Sequence, residues 1–410
     1  MSASALPPLH LAVALQDAGW HPAAWREPGA RPRELFDARY WTDSVRQAER
    51  GLLDFVTFED SLALQSADPF EPDDRTDQVR GRLDAVLTAA RVAPLTRHIG
   101  LVPTLVATHT EPFHLSKAIA TLDFVSGGRA GLRVQVAAQA HVAAHFGRRT
   151  LPPVAAADLT GARTSRALDD LLTELFDEAA DYVEVVRRLW DSWEDDAEIR
   201  DEATGRFVDR DKLHYIDFQG RRFSVKGPSI TPRPPQGQPL VTALAHRTVP
   251  YRLVARSADV GFVTPHEPAQ AAPIVAEIRA EQQAAGRAAE TVHIFGDLVV
   301  FLDQDAATAR ARRDRLDALL DTPYVGDAPI FTGTAAQLAD LLVEFQRAGL
   351  TGFRLRPADA DHDLRAITAG LVPELQGRGA FRRSYQATTL RGLLGLPRPA
   401  NRYAAGTVGA

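Results

Sequence analysis

Short, continuous apolar runs alternate along the chain with segments whose apolar residues recur at helical spacing. Residues 9–15, 55–58, 99–106, 129–137, 240–245, 260–263, 294–301 and 353–355 read as strands. Residues 36–50, 82–92 and 165–193 carry helical patterns, and Gly51 stops the first of them. The clearest unit starts at Glu111, where Pro112, Phe113, His114 and Leu115 open a helix. Phe113, Ile119, Leu122 and Phe124 supply its apolar positions, and Gly127-Gly128 ends it before the next strand.

Strands that are apolar throughout, each followed by a helix, indicate a parallel sheet buried on both faces. Eight of them fit a closed α/β architecture, the (β/α)8 TIM barrel, as a single domain over residues 1–410. A doubly wound open sheet is the competing arrangement, but no Gly-x-Gly-x-x-Gly follows the first strand. Two stretches break the alternation. An insertion at about 195–235 is charged, carries a hairpin pattern over 218–225 pivoting at Gly220, and ends in Pro-rich 231–235. A C-terminal extension at about 380–410 is expected to wrap another surface and to fray at its small-residue end. Leu189, Trp190 and Trp193 share one side of the long helix, which predicts a packing seam, with a subunit contact as one use of it.

Composition narrows the function classes. A 45% hydrophobic content is ample for a core, and a net charge of −6 with no basic block argues against nucleic-acid or anionic-membrane partners. There is no Cys, which excludes disulfides and thiolate chemistry. The first eight residues lack a basic, then apolar, leader pattern, and no run of 18 apolar residues occurs, so a cytoplasmic protein is expected. The twelve His show no His-Glu-x-x-His spacing, so no metal site is expected, and no Gly-x-Ser-x-Gly elbow surrounds Ser165.

Several stretches, in order along nearly the whole chain, resemble the bacterial luciferase-like flavin monooxygenases, in the branch that contains nitrilotriacetate and dibenzothiophene-sulfone monooxygenases. The resemblance is carried by residues 122–131 (LDFVSGGRAG), 19–26 (GWHPAAWR), 48–56 (AERGLLDFV), 60–63 (DSLA), 182–193 (YVEVVRRLWDSW), 223–228 (FSVKGP) and 396–403 (LPRPANRY). It implies a barrel that holds FMN at the C-terminal mouth of its strands. It also implies reduced FMN from a separate flavin reductase, dioxygen, a small organic substrate and a homo-oligomer.

Residue by residue, Asp60 and Thr104 match flavin-contacting positions of the family. For Asp60 the alternative is to cap the following turn, and for Thr104 plain strand propensity. Trp20 and His21 follow the first strand and His109 the third, where barrel enzymes place substrate contacts. His10, within the first strand, either acts near the flavin or is a satisfied core residue. The chain also departs from the family. Residues Leu132 to Ala137 replace a Trp-Asn and a Thr-Ser pair, which puts Ala137 beside the cofactor. Leu172 and Phe176 replace a His and a Tyr on the phosphate side. Ala245-His246-Arg247-Thr248 replaces Gly-Ala-Ser, so that His246 and Arg247 stand near the phosphate. Arg247 either clamps that phosphate or fills its site. These departures keep two other readings open: hydride transfer with a deazaflavin, and a barrel without catalysis that serves as a binding or assembly partner.

Overall fold

The computed structural model describes residues 7–404 apart from 69, 155–164 and 321, so the expected fraying at the end of the tail lies outside the described residues. All eight expected strands form, and they close on one another. They are β1 (His10–Leu15), β2 (Phe55–Phe58), β3 (Gly100–Val106), β4 (Gly131–Gln135), β5 (Leu240–Leu244), β6 (Val260–Val263), β7 (His293–Leu302) and β8 (Gly352–Pro357). Every neighbouring pair is parallel, and β1 pairs with both β2 and β8, which completes the ring. The helices that cover it include α1 (Ala38–Arg50), α2 (Ala85–Val92), α3 (Pro112–Ser126), α4 (Arg166–Asp191) and α5 (Thr248–Ser257). Gly127, in the left-handed conformation at φ 66°, ends α3 where the sequence placed the stop.

The barrel interior is layered. At the N-terminal end, Ala12, Phe55, Val102, Leu240, Phe262 and Phe295 form a dry floor that Leu390, Leu394 and Leu396 of the tail close from below. Burying each aromatic ring contributes about 1.5–3 kcal/mol. The surface wrapped by the C-terminal extension is thus the bottom of the barrel. Gly100 makes room for this plug, since a Cβ there would lie 2.6 Å from Leu390. Arg391 fixes the plug to Asp259 at 3.1 Å.

His10 sits at this lower end, 2.9 Å from Asp54 and edge-on to His293, so it takes the core role and is remote from the mouth. Burial, aided by the nearby His10 charge, pushes His293 down to about 4. A histidine whose folded pKa lies below its unfolded value contributes stability that is present above about pH 6.5 and lost as pH falls toward 4. Urea melts between pH 7 and 4.5 should therefore lose up to about 1.4 kcal/mol per pH unit through this residue. His293→Leu should flatten that dependence; an unchanged slope would dismiss the assignment.

The seam on the long helix is internal: Trp190 is buried and donates to the Ser116 carbonyl of α3 at 2.9 Å, and Trp193, beyond the helix end at Asp191, donates to Ser229. The expected packing seam is therefore present, and Trp193 stays half-buried. A short strand, Ile330–Gly333, adds itself to the outer half of β7, which outruns β6. Its four residues carry too short a pattern to stand out in the sequence. The insertion between β4 and β5 holds two hairpins, and the second turns at Gly220 as expected.

Candidate active site at the barrel mouth

Inward positions of a strand alternate, and toward the C-terminal ends of β2, β4, β7 and β8 they change from apolar to charged. Glu59, Arg133, Asp297, Arg354 and Arg356 meet there on top of the aromatic floor, almost fully shut from solvent. Arg354 donates to both oxygens of Asp297 at 2.7 and 2.5 Å and to Glu59 at 2.9 Å, with its guanidinium 4.3 Å from the Phe262 ring centre. Arg356 donates to the same Asp297 at 2.5 Å, pairs with Asp327, and lies 4.2 Å over the Trp20 ring. Arg133 contacts Glu59 at 3.0 Å and Thr104 at 3.0 Å. At the rim, Asp327 reaches His246 at 3.4 Å, and His246 bonds Thr264 at 2.9 Å.

Three guanidinium groups and three carboxylates thus form one connected chain from rim to floor. Burial alone would raise the carboxyl of Glu59. Arg133, Arg354 and Arg356 outweigh it and hold the group below the usual range. Asp297 is lowered against burial by Arg354 and Arg356 in the same way. Burial brings Arg133 down to about 10, which leaves it charged at neutral pH. The floor is therefore ionised and nearly neutral in sum.

Above it opens a cavity of ≈ 940 Å³, walled by Trp20, His21, Asp60, Gln135, Leu244 and Tyr324 among others. Arg133 also faces this cavity, and its Nε is buried with no partner. A ligand acceptor seated on the floor would satisfy it.

The expected site residues divide into two groups. Asp60, Trp20 and His21 line the cavity. One oxygen of Asp60 accepts from Ser61 N–H at 2.7 Å and the other from Ala85 N–H at 3.0 Å, so it caps the start of α2 while facing the cavity. Burial raises its carboxyl. Trp20 is held by the Ala14 carbonyl at 3.0 Å, and His21 by Asp317 at 3.1 Å. Burial lowers His21, which favours its neutral form.

The other group lies away from the cavity wall. Thr104 is fully buried, with its hydroxyl occupied by Arg133. Ala137 packs beside Val106 and Val142, and Phe176 lies against the core from α4. His109 stacks on Phe146 with ring centres 5.1 Å apart. His246 joins the ionic chain at the rim, and Arg247 is the N-cap of α5 without a side-chain cap bond.

Sequence reasoning did not single out Glu59, Asp297, Asp327, Arg354 or Arg356. A signal was available: charges at every second position of strands otherwise apolar on both faces, as in Phe353-Arg354-Leu355-Arg356.

Comparison with known proteins bears on the fold that carries this site. The family described as luciferase-like monooxygenase matches residues 18–323. Nitrilotriacetate monooxygenase component A of Aminobacter aminovorans is 28% identical, over 96% of this chain and 97% of its own. N-acetyl-S-(2-succino)cysteine monooxygenase of Bacillus subtilis (strain 168) is 29% identical, over 97% and 98%. Among solved structures, a riboflavin lyase with modified FMN and riboflavin superposes with a TM-score of 0.81 at 25% identity, covering 95% of this chain and 96% of that one.

Proposed function

The chain belongs to the luciferase-like monooxygenase family, and from that premise we propose that the mouth cavity holds reduced FMN, delivered by a separate reductase, and that a small organic substrate is oxygenated there. The observation that carries this reading is the ≈ 940 Å³ cavity at the C-terminal ends of the strands, with a buried, unpartnered Arg133 Nε on its floor. The volume lies within the usual range for cofactor sites. A flavin ring carries carbonyl and ring-nitrogen acceptors that match the orphan donor, so the residues present fit the group. Similarity to flavin-associated and monooxygenase relatives supports the same assignment.

Bound reduced FMN would supply the electrons that activate dioxygen. The chain's own residues then have distinct tasks. Arg133, held by Glu59 and Thr104, offers Nε–H to the ring. Trp20, Leu244 and Tyr324 keep water from the reacting face. Trp20 is itself fixed from below by Arg356 and from behind by Ala14. Thr104 acts through Arg133, and His246 orients Asp327 at the rim. Ala137, Phe176 and Arg247 are assigned to the phosphate side by their place in the fold, since none of them lines the cavity as it stands. Trp20 and His21 are assigned to the side where substrate enters, His21 through its ring alone because Nε2 bonds Asp317 and Nδ1 accepts from Ala23 N–H. His109 is assigned to the same side from behind the wall, stacked on Phe146.

Anaerobic titration tests this directly. Reduced FMN should quench Trp20 fluorescence saturably, and Arg133→Met should weaken binding about tenfold, the equivalent of one buried charged hydrogen bond. A deazaflavin run in parallel separates the hydride-transfer alternative: saturation by it alone would replace the monooxygenase reading. Indifference to both cofactors would reject flavin chemistry here.

A further inference from the structure

Four arginines line the mouth cavity: Arg75, Arg82, Arg133 and Arg356. Three are engaged. Arg356 and Arg133 belong to the ionic chain, and Arg75 pairs with Asp77 at 2.7 Å. Arg82 makes no hydrogen bond and no ion pair among the described residues, although its Nε is buried. It acts on the carboxyls of Asp17 and Asp60 only through space. Their oxygens are committed elsewhere. Gln65 donates to both oxygens of Asp17 at 3.1 and 3.0 Å, and Asp60 accepts from Ser61 and Ala85.

A guanidinium presents its donors as a planar fork that matches an oxyanion held by two oxygens. Two oxyanions could reach this cavity, the phosphate of a flavin or a carboxylate of a substrate. Arg82 stands between β2 and α2, whereas His246 and Arg247 follow β5, three strands away around the ring. A flavin phosphate near the β5 loop leaves Arg82 to the other ligand.

We propose that Arg82 is the carboxylate-binding residue of the mouth cavity and that this barrel takes an organic carboxylate as its substrate. The proposal rests on the reading of the mouth as a flavin site and names the substrate class for it. Arg82 would set specificity by holding the substrate's carboxylate while the rest of the molecule lies toward the Trp20 wall. A neutral analogue would leave the buried donor unmet and be rejected.

Phenylglyoxal labelling of the full chain without flavin, mapped by mass spectrometry, is the first test. Arg82 should be labelled, and nitrilotriacetate or succinate should slow its labelling about tenfold while the corresponding neutral amides do not. Calorimetry should show Arg82→Met binding these carboxylates about tenfold more weakly, with Arg82→Lys in between, because lysine keeps the charge and loses the fork. Reduced FMN and reduced riboflavin should bind the Met variant as they bind the parent. Equal carboxylate binding by parent and variant would overturn the proposal, as would the absence of protection. A variant that loses reduced FMN but keeps reduced riboflavin would give Arg82 to the flavin phosphate, also overturning it. Protection by carboxylates in a protein that binds no reduced FMN would keep the anion site and remove the flavin reading alone.

Discussion

Asp297→Ala should lower the stability of the barrel by about 3–5 kcal/mol, the cost of leaving buried charges without their partner. Asp297 is fully buried and accepts from both Arg354 and Arg356, so its removal leaves one net positive charge in a buried layer, with Arg354 paired to Glu59 alone and Arg356 to Asp327 alone. Asp297→Asn keeps one acceptor and should recover part of the loss. The measurement is the urea midpoint followed by circular dichroism, paired with reduced-FMN titration of whatever fraction remains folded. Destabilisation below about 1 kcal/mol would mean that the network is wetter and looser than its geometry implies. Buried ion networks are often no more stabilising than apolar residues of the same size. On the proposed reading Arg133 and Arg356 form a floor for the ligand, so the flavin titration should respond more sharply than the melt.

The second large effect is expected at Gly19. Its φ is +139°, and a Cβ there would stand 2.2 Å from the Ala358 carbonyl oxygen, a backbone atom that cannot turn aside. The loop that follows is tied to the end of β8 by Trp20 N–H to Pro357 O at 2.9 Å and His21 N–H to Ala358 O at 3.1 Å. Gly19→Ala should therefore cost roughly 3 kcal/mol through strain and overpacking. It should also move Trp20 off Arg356 and open the cavity wall. Thermal melts read the first effect and loss of saturable tryptophan quenching the second. A variant that melts and titrates like the parent would show that this loop is not the wall it is taken to be.

How much of this was legible beforehand differs between frame and site. Strands such as Leu11–Leu15 and Val299–Leu302 announce themselves because burial on both faces demands unbroken apolar runs. The α3 unit was equally plain, since Gly127 is the residue that can take the left-handed C-cap. Asp60, Trp20 and His21 could be placed at the mouth because loops after barrel strands all emerge on one side. Thr104 shows where that reasoning runs short. Its position on β3 was read correctly, but its hydroxyl is taken by Arg133, a partner 29 residues on.

The ionic floor marks the same division. Glu59 directly follows β2, Arg133, Asp297 and Arg354 sit on three other strands, and nothing local in the sequence says that they touch. The sequence by itself determined the period, the number and the order of the elements, because these follow from each residue's own need to be buried or wet. Only the tertiary structure decided which charges are neighbours, that Arg82 is left over, and that the tail seals the barrel from below. Those outcomes depend on ring closure, which brings side chains far apart in the chain within a few ångströms where charge must be paired.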